Sequence, residues 1–167
     1  GAMLESAGLT LKDVTLVNVN FALTTALMSR QVDGVIGAFR NFELNDLELN
    51  KAKGRIWLVE KHGVPTYDEL VILAKRESVD VARTKKLLSA LAEATAWLTA
   101  NPAEAWAIFS RYGKDLDNDL NRLAWKDTVP LLAADPSALD RARYATFADF
   151  LVKRGLIKQA PLLDSYV

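Results

Sequence analysis

The stretch VTLVNVNFALTTALMSRQVDGVIGAF, residues 14–39, decides how the chain is read. Residues 14–19 are rich in β-branched side chains, and residues 32–39 form an almost wholly apolar run that holds two glycines. Between them, residues 22–31 carry Ala, Leu and Met at helical rather than alternating spacing. Strand, short helix, strand is the economical reading. Such a connection makes the two strands parallel with a right-handed crossover, and the continuous apolarity of the second suits a strand covered on both faces.

Working outward, residues 55–60 and 69–75 are further apolar runs read as strands, and residues 62–67 (HGVPTY) form a Gly/Pro connector between layers or lobes. From residue 79 the pattern turns helical. Leu87, Leu88, Leu91, Ala94 and Leu98 make an apolar stripe on a long helix that ends near Asn101-Pro102. Asn101 then caps the next helix, with Pro102 at its first position and Glu104 completing a capping box, and Gly113 closes it. A third helix covers residues 117–134, with a kink or early stop at Pro130. A fourth opens with Asp135 as cap and Pro136 at its first position, and stops at Gly155. The expected class is α/β: a small, mostly parallel sheet followed by a C-terminal helical region.

The 167 residues suffice for one domain with a real core and are too few for two of full size. Half are apolar and a quarter charged, which excludes a disordered or low-complexity chain. The 21 basic and 21 acidic residues cancel, so no charge field holds a phosphate backbone or an anionic lipid surface, and nucleic acid and membrane-surface partners are not expected. Cysteine is absent and histidine occurs once, which leaves no thiolate site and little basis for a metal centre. No apolar run approaches the roughly 18–20 residues of a membrane span, and no signal peptide is read in the chain as it stands. Gly1-Ala2 before Met3 reads as the remnant of a cleaved tag, so residues 1–3 are set aside.

In an open parallel sheet the ligand crevice lies at the carboxyl ends of the strands. That rule selects Asn18, Asn20 and Phe21 after the first strand, and residues 37–43 (GAFRNFE) after the second. Small residues at 37 and 38 let a flat ligand approach the backbone, and Phe39 and Phe42 can stack on it. Glu43 can accept paired hydrogen bonds from an amino group and a ring N–H. The same residues also suit a structural role, with the phenylalanines in a core, Arg40 and Glu43 as a solvated ion pair and Asn41 in a turn. Tyr67, just past the connector, is a further candidate for facing a cleft. His62 reads as a hinge or surface residue, and Trp57, Trp97, Trp106 and Trp125 as packing. Asp115, Asp117 and Asp119 lack the glycine and terminal glutamate of a calcium loop.

Three segments together resemble a known family: residues 18–23 (NVNFAL), 26–43 (ALMSRQVDGVIGAFRNFE) and 62–70 (HGVPTYDEL). They are similar to the substrate-binding proteins of ABC importers that take up thiamine pyrimidine precursors, which are related to the yeast thiamine-pyrimidine synthase. The resemblance continues through residues 101–106 and 144–156. It implies a two-lobed fold of the periplasmic-binding-protein type II kind, truncated here. Residues 4–66 would be part of the second lobe, and residues 67–167 a return strand plus helices that pack on an absent first lobe. It also implies Phe39 and Glu43 as ligand contacts, with Asn41 beside them; Phe42, Asn20 and Tyr67 complete the candidate set.

The function expected from the resemblance is non-catalytic capture of a hydroxymethyl- or aminomethyl-pyrimidine for an ABC permease, in the service of thiamine biosynthesis. The intact protein would then be periplasmic, or lipid-anchored outside the cell. One alternative is an effector-sensing or interaction module on the same fold. Another is a pyrimidine-synthase-like enzyme, which the relatives in yeast run with pyridoxal phosphate and iron; no lysine adjoins the 39–43 cluster to hold a Schiff base, and no cofactor is expected. Apolar helices lacking the first lobe would expose enough surface to favour a second copy, through a symmetric or domain-swapped dimer.

Overall fold

The computed structural model describes residues 1–166; Val167, the end of the tail, lies outside them. The chain forms seven α-helices among these residues: α1 (Ala2–Ser6), α2 (Leu23–Met28), α3 (Glu43–Leu49), α4 (Val81–Ala100), α5 (Pro102–Phe109), α6 (Asp119–Thr128) and α7 (Arg141–Lys153). Short 3-10 turns intervene. The chain divides into two compact units. One comprises Gly1–Thr15, Trp57–Leu88 and Pro136–Val167, and the other Leu16–Ile56 and Ser89–Asp135.

In the second unit, α2 packs on α3 and α3 on α6. The buried positions are small or few: Thr24 and Ala26 on α2, Leu47 on α3 and Ala105 on α5. Short side chains on α2 let helix axes approach closely. Rings carry the rest of the packing, with Trp106 edge-on to Trp125 at 5.7 Å and Phe109 at 4.9 Å from Trp125. The Arg122 guanidinium lies 4.8 Å over the Trp106 ring. Pro130 lies in a 3-10 turn, Val129–Leu131, that directly follows α6, so the helix stops where the missing N–H and the ring clash demand.

In the first unit, Tyr67 stacks on Phe147 of α7 with centroids 4.9 Å apart, and Phe147 neighbours Phe150 at 5.8 Å. Arg143 is bonded to Asp68, and Arg154 to Glu5. The C-terminal 3-10 turn, Leu163–Ser165, packs on α7. Its Asp164 accepts from Arg76 through the backbone carbonyl and from Arg141 through the carboxylate, both at 2.6 Å.

The expected α/β class is corrected: no residue among those described lies in a β-strand, so the small parallel sheet and its strand–helix–strand crossover are not formed. The central helix of that reading is present as α2. The flanking runs are extended or bent, but each lacks a neighbour. A strand exists only when its N–H and C=O groups pair across to another, and apolar character signals a wish for burial without supplying that neighbour. These runs face solvent instead, with Leu16 and Ile36 each 77% exposed, Leu70 87% and Leu73 86%. Gly37, at φ +94°, also bends residues 32–39 away from strand geometry.

Helix limits are corrected in three places. Residues 44–49, assigned to no element in the sequence, join Glu43 to form α3. α5 ends at Phe109, before Gly113, and the Asn101 side chain donates back to the Trp97 carbonyl at 2.9 Å rather than capping α5. α7 starts at Arg141 with Asp140, not Asp135, as its cap; the Asp140 carboxylate accepts from the Arg143 N–H at 3.0 Å. Its far end follows the sequence, with Gly155 at φ +67° just past Arg154.

Candidate functional site

The turn before α3 is where the candidate residues meet. Phe39 donates its N–H to Glu43 Oε2 at 2.6 Å, and Glu43 opens α3, where a carboxylate suits the positive end of the helix. Two backbone bonds close the same turn, from the Phe42 N–H (3.1 Å) and the Glu43 N–H (3.2 Å) to the Phe39 carbonyl. The Glu43 side chain is thereby fixed, and its second oxygen has no protein partner among the described residues.

Two amides tie this turn to α6. Asn41 donates to Thr128 Oγ1 at 2.6 Å, and the Thr128 hydroxyl in turn donates to the Ala124 carbonyl. Asn45 donates both to the Asn41 carbonyl at 3.0 Å and to the Asp127 carboxylate at 2.8 Å. Asn41 is thus a half-buried structural bridge, held through its side-chain nitrogen.

A concavity of about 460 Å³ opens at this turn. Phe39, Asn41, Phe42 and Glu43 line it, together with Gly37, Phe21 and Leu23. Its wall is mainly apolar, with three rings around one fixed carboxylate. A flat heteroaromatic could stack on the rings while an amino group or ring N–H donates to the carboxylate. Gly37 contributes by conformation: nothing lies within 4 Å of where its side chain would begin, and its positive φ turns the backbone around the hollow.

Of the six candidates, four line the concavity. Asn20 does not: it adopts φ +49° and donates its N–H to Asn18 Oδ1 at 2.9 Å, which shapes the turn that presents the fully exposed Phe21. Tyr67 belongs to the other unit, stacked on Phe147. Beside it, Asp68 holds the Arg143 guanidinium above its ordinary pKa. Burial, followed by the Asp68 charge, pushes the Tyr144 phenol up. Leu23 is the lining residue that sequence reasoning missed, because a leucine opening an amphipathic helix carries no mark that separates a pocket wall from a core.

No solved structure matches the chain. A Haemophilus influenzae protein named for thiamine biosynthesis is 50% identical over 165 residues, which is 98% of this chain and 52% of that one. The formylaminopyrimidine-binding protein of Halalkalibacterium halodurans is 31% identical over 107 residues, 62% of this chain and 32% of that one. The chain therefore spans about half the length of the first and a third of the second. The family described as NMT1/THI5 like matches residues 1–105, a stretch that contains every residue lining the concavity. With more than half of its length inside that match, the chain belongs to the NMT1/THI5-like family.

Proposed function

We propose that the chain is the ligand-holding part of a solute-binding protein that takes a thiamine-pyrimidine precursor, without chemical change, and delivers it to an ABC permease. The carrying observation is the concavity walled by Phe21, Phe39 and Phe42, with the Glu43 carboxylate held at its edge by the Phe39 N–H. An aminopyrimidine matches it group for group: a flat ring for the phenylalanines, and an exocyclic amine beside a ring nitrogen for the carboxylate. The name of the Halalkalibacterium halodurans relative, a formylaminopyrimidine-binding protein, supports the same ligand class, and binding over catalysis. The name of the Haemophilus influenzae relative supports a place in thiamine supply. Delivery to a permease sets the protein outside the cytoplasmic membrane.

Isothermal calorimetry with hydroxymethyl-, aminomethyl- and formylamino-pyrimidines tests this. At least one should bind, and Glu43→Gln should weaken it about tenfold, or about 1.4 kcal/mol. Equal affinity in the variant, or no heat with any of the three, would reject the assignment.

A further inference from the structure

The two ends of the Asn41 side-chain amide are told apart by Thr128. Thr128 Oγ1 lies 2.6 Å from the Ala124 carbonyl oxygen, a separation that two oxygens hold only with a proton between them. A hydroxyl carries one proton, and this contact uses it. Toward Asn41, also at 2.6 Å, Thr128 is therefore an acceptor, and the group facing it is Nδ2. Oδ1 is left as the amide atom with no protein partner among the described residues. The neighbouring bond from Asn45 to the Asp127 carboxylate, at 2.8 Å, holds α6 in register with the turn, so Thr128 stays opposite Asn41.

Among the described residues, Asn41 lines the hollow and Thr128 does not. An amide tied by its nitrogen to a residue outside the lining offers its carbonyl oxygen to what enters. The other polar side chain of the lining is Glu43, an acceptor whose Oε2 already takes the Phe39 N–H. The N–H groups of Phe39, Phe42 and Glu43 are spent inside the turn. What the side chains offer a ligand is then a pair of acceptors, and a pair of acceptors asks for donors.

We infer that Thr128 is a positioning residue for ligand selection. By accepting from Asn41 Nδ2 it presents Oδ1 to the hollow, where that oxygen and the Glu43 carboxylate select a ring bearing an exocyclic amine over the same ring bearing an oxo group. This rests on the pyrimidine-binding reading for the ligand, and on the amide bonds alone for the residue. An oxo oxygen set against two acceptors loses its hydration and gains no donor, which is how a polar site rejects a near-isostere.

Nitrogen-15 NMR of the ligand-free chain reads the amide directly. The Asn41 side-chain N–H should exchange slowly with solvent in the wild type and in Thr128→Ser, and about tenfold faster in Thr128→Val, which keeps the shape and loses the hydroxyl. Calorimetry then compares a hydroxymethyl-aminopyrimidine with the same ring carrying oxo in place of the amine. The wild type and Thr128→Ser should prefer the amine about tenfold or more. Thr128→Val should bring that ratio toward one, because the released amide can turn its nitrogen to the oxo oxygen. A merely structural loosening would weaken both ligands alike and leave the ratio as it was. Asn41→Leu, similar in size and without the acceptor, should lower the ratio too, and serves if Thr128→Val does not fold. An unchanged ratio in either variant, or an Asn41 amide that exchanges as fast in the wild type as in Thr128→Val, overturns the inference and leaves the pyrimidine reading standing. A wild type that binds neither ring overturns both.

Discussion

Gly37 and Glu43 shape the hollow in different ways, one through the backbone and one through a side chain. Gly37 sits at φ +94°, a conformation that an L side chain adopts only with strain, although open space surrounds the position. Gly37→Ala should therefore lower stability by about 1–2 kcal/mol in urea unfolding, through conformation and not collision. Ligand affinity should fall with it as the bend moves; unchanged unfolding would show that the backbone relaxes there freely. Glu43 spends one oxygen on the Phe39 N–H, so its orientation is set before any ligand arrives. A pre-set acceptor loses less rotamer freedom on binding, which is why Glu43→Gln, equal in size but uncharged, is the informative exchange.

At the scale of elements, α7 shows how a helix start is chosen. Asp135-Pro136 carries a cap followed by proline at the first position, yet the helix opens five residues later, on Asp140. An aspartate followed by proline is equally a turn signal, and residues 136–137 form a turn. Asp140→Ala should cost about 1 kcal/mol, measured as a lower urea midpoint with some loss of helical ellipticity. No loss would place the cap elsewhere. Helix ends governed by a single local residue were legible: Asn101-Pro102 after α4, Pro130 after α6 and Gly155 after α7. The strands were not. Residues 14–19 and 32–39 have strand-like side chains, but a ladder needs a partner that no local pattern encodes, and α3 went unassigned because only Glu43, its first residue, was read, as the end of a binding motif. The candidate site fared better. Aromatic, amide and acid types at 39, 41, 42 and 43 were readable because they sit within one turn, whereas Thr128 and Asp127, which anchor that turn, lie far along the sequence.

At the scale of the whole molecule, few of the described residues are buried: four apolar side chains and Thr24. Surface ion pairs accordingly bear on how the chain answers to pH. Arg154, through its hydrogen bonds and then its charge, holds the Glu5 carboxyl below its ordinary 4.5, and Thr10 bonds hold Asp13 below 3.8. A lowered carboxyl stabilises the fold above its unfolded pKa, and that contribution disappears as pH falls through the folded value. Thermal unfolding should therefore show Glu5→Gln less stable than the wild type at neutral pH. The gap should close as the solution is acidified below about 4.5; a gap that stays constant to pH 2 would detach Glu5 from the acid response.

The bond from Asn41 to Thr128 spans 87 positions. A ribosome adding about 5–20 residues each second needs roughly 4–17 seconds to cover that distance. For that interval the nascent polypeptide has emitted its phenylalanines and its acid without the brace that will hold them, so the hollow cannot take its final form until synthesis has passed Thr128.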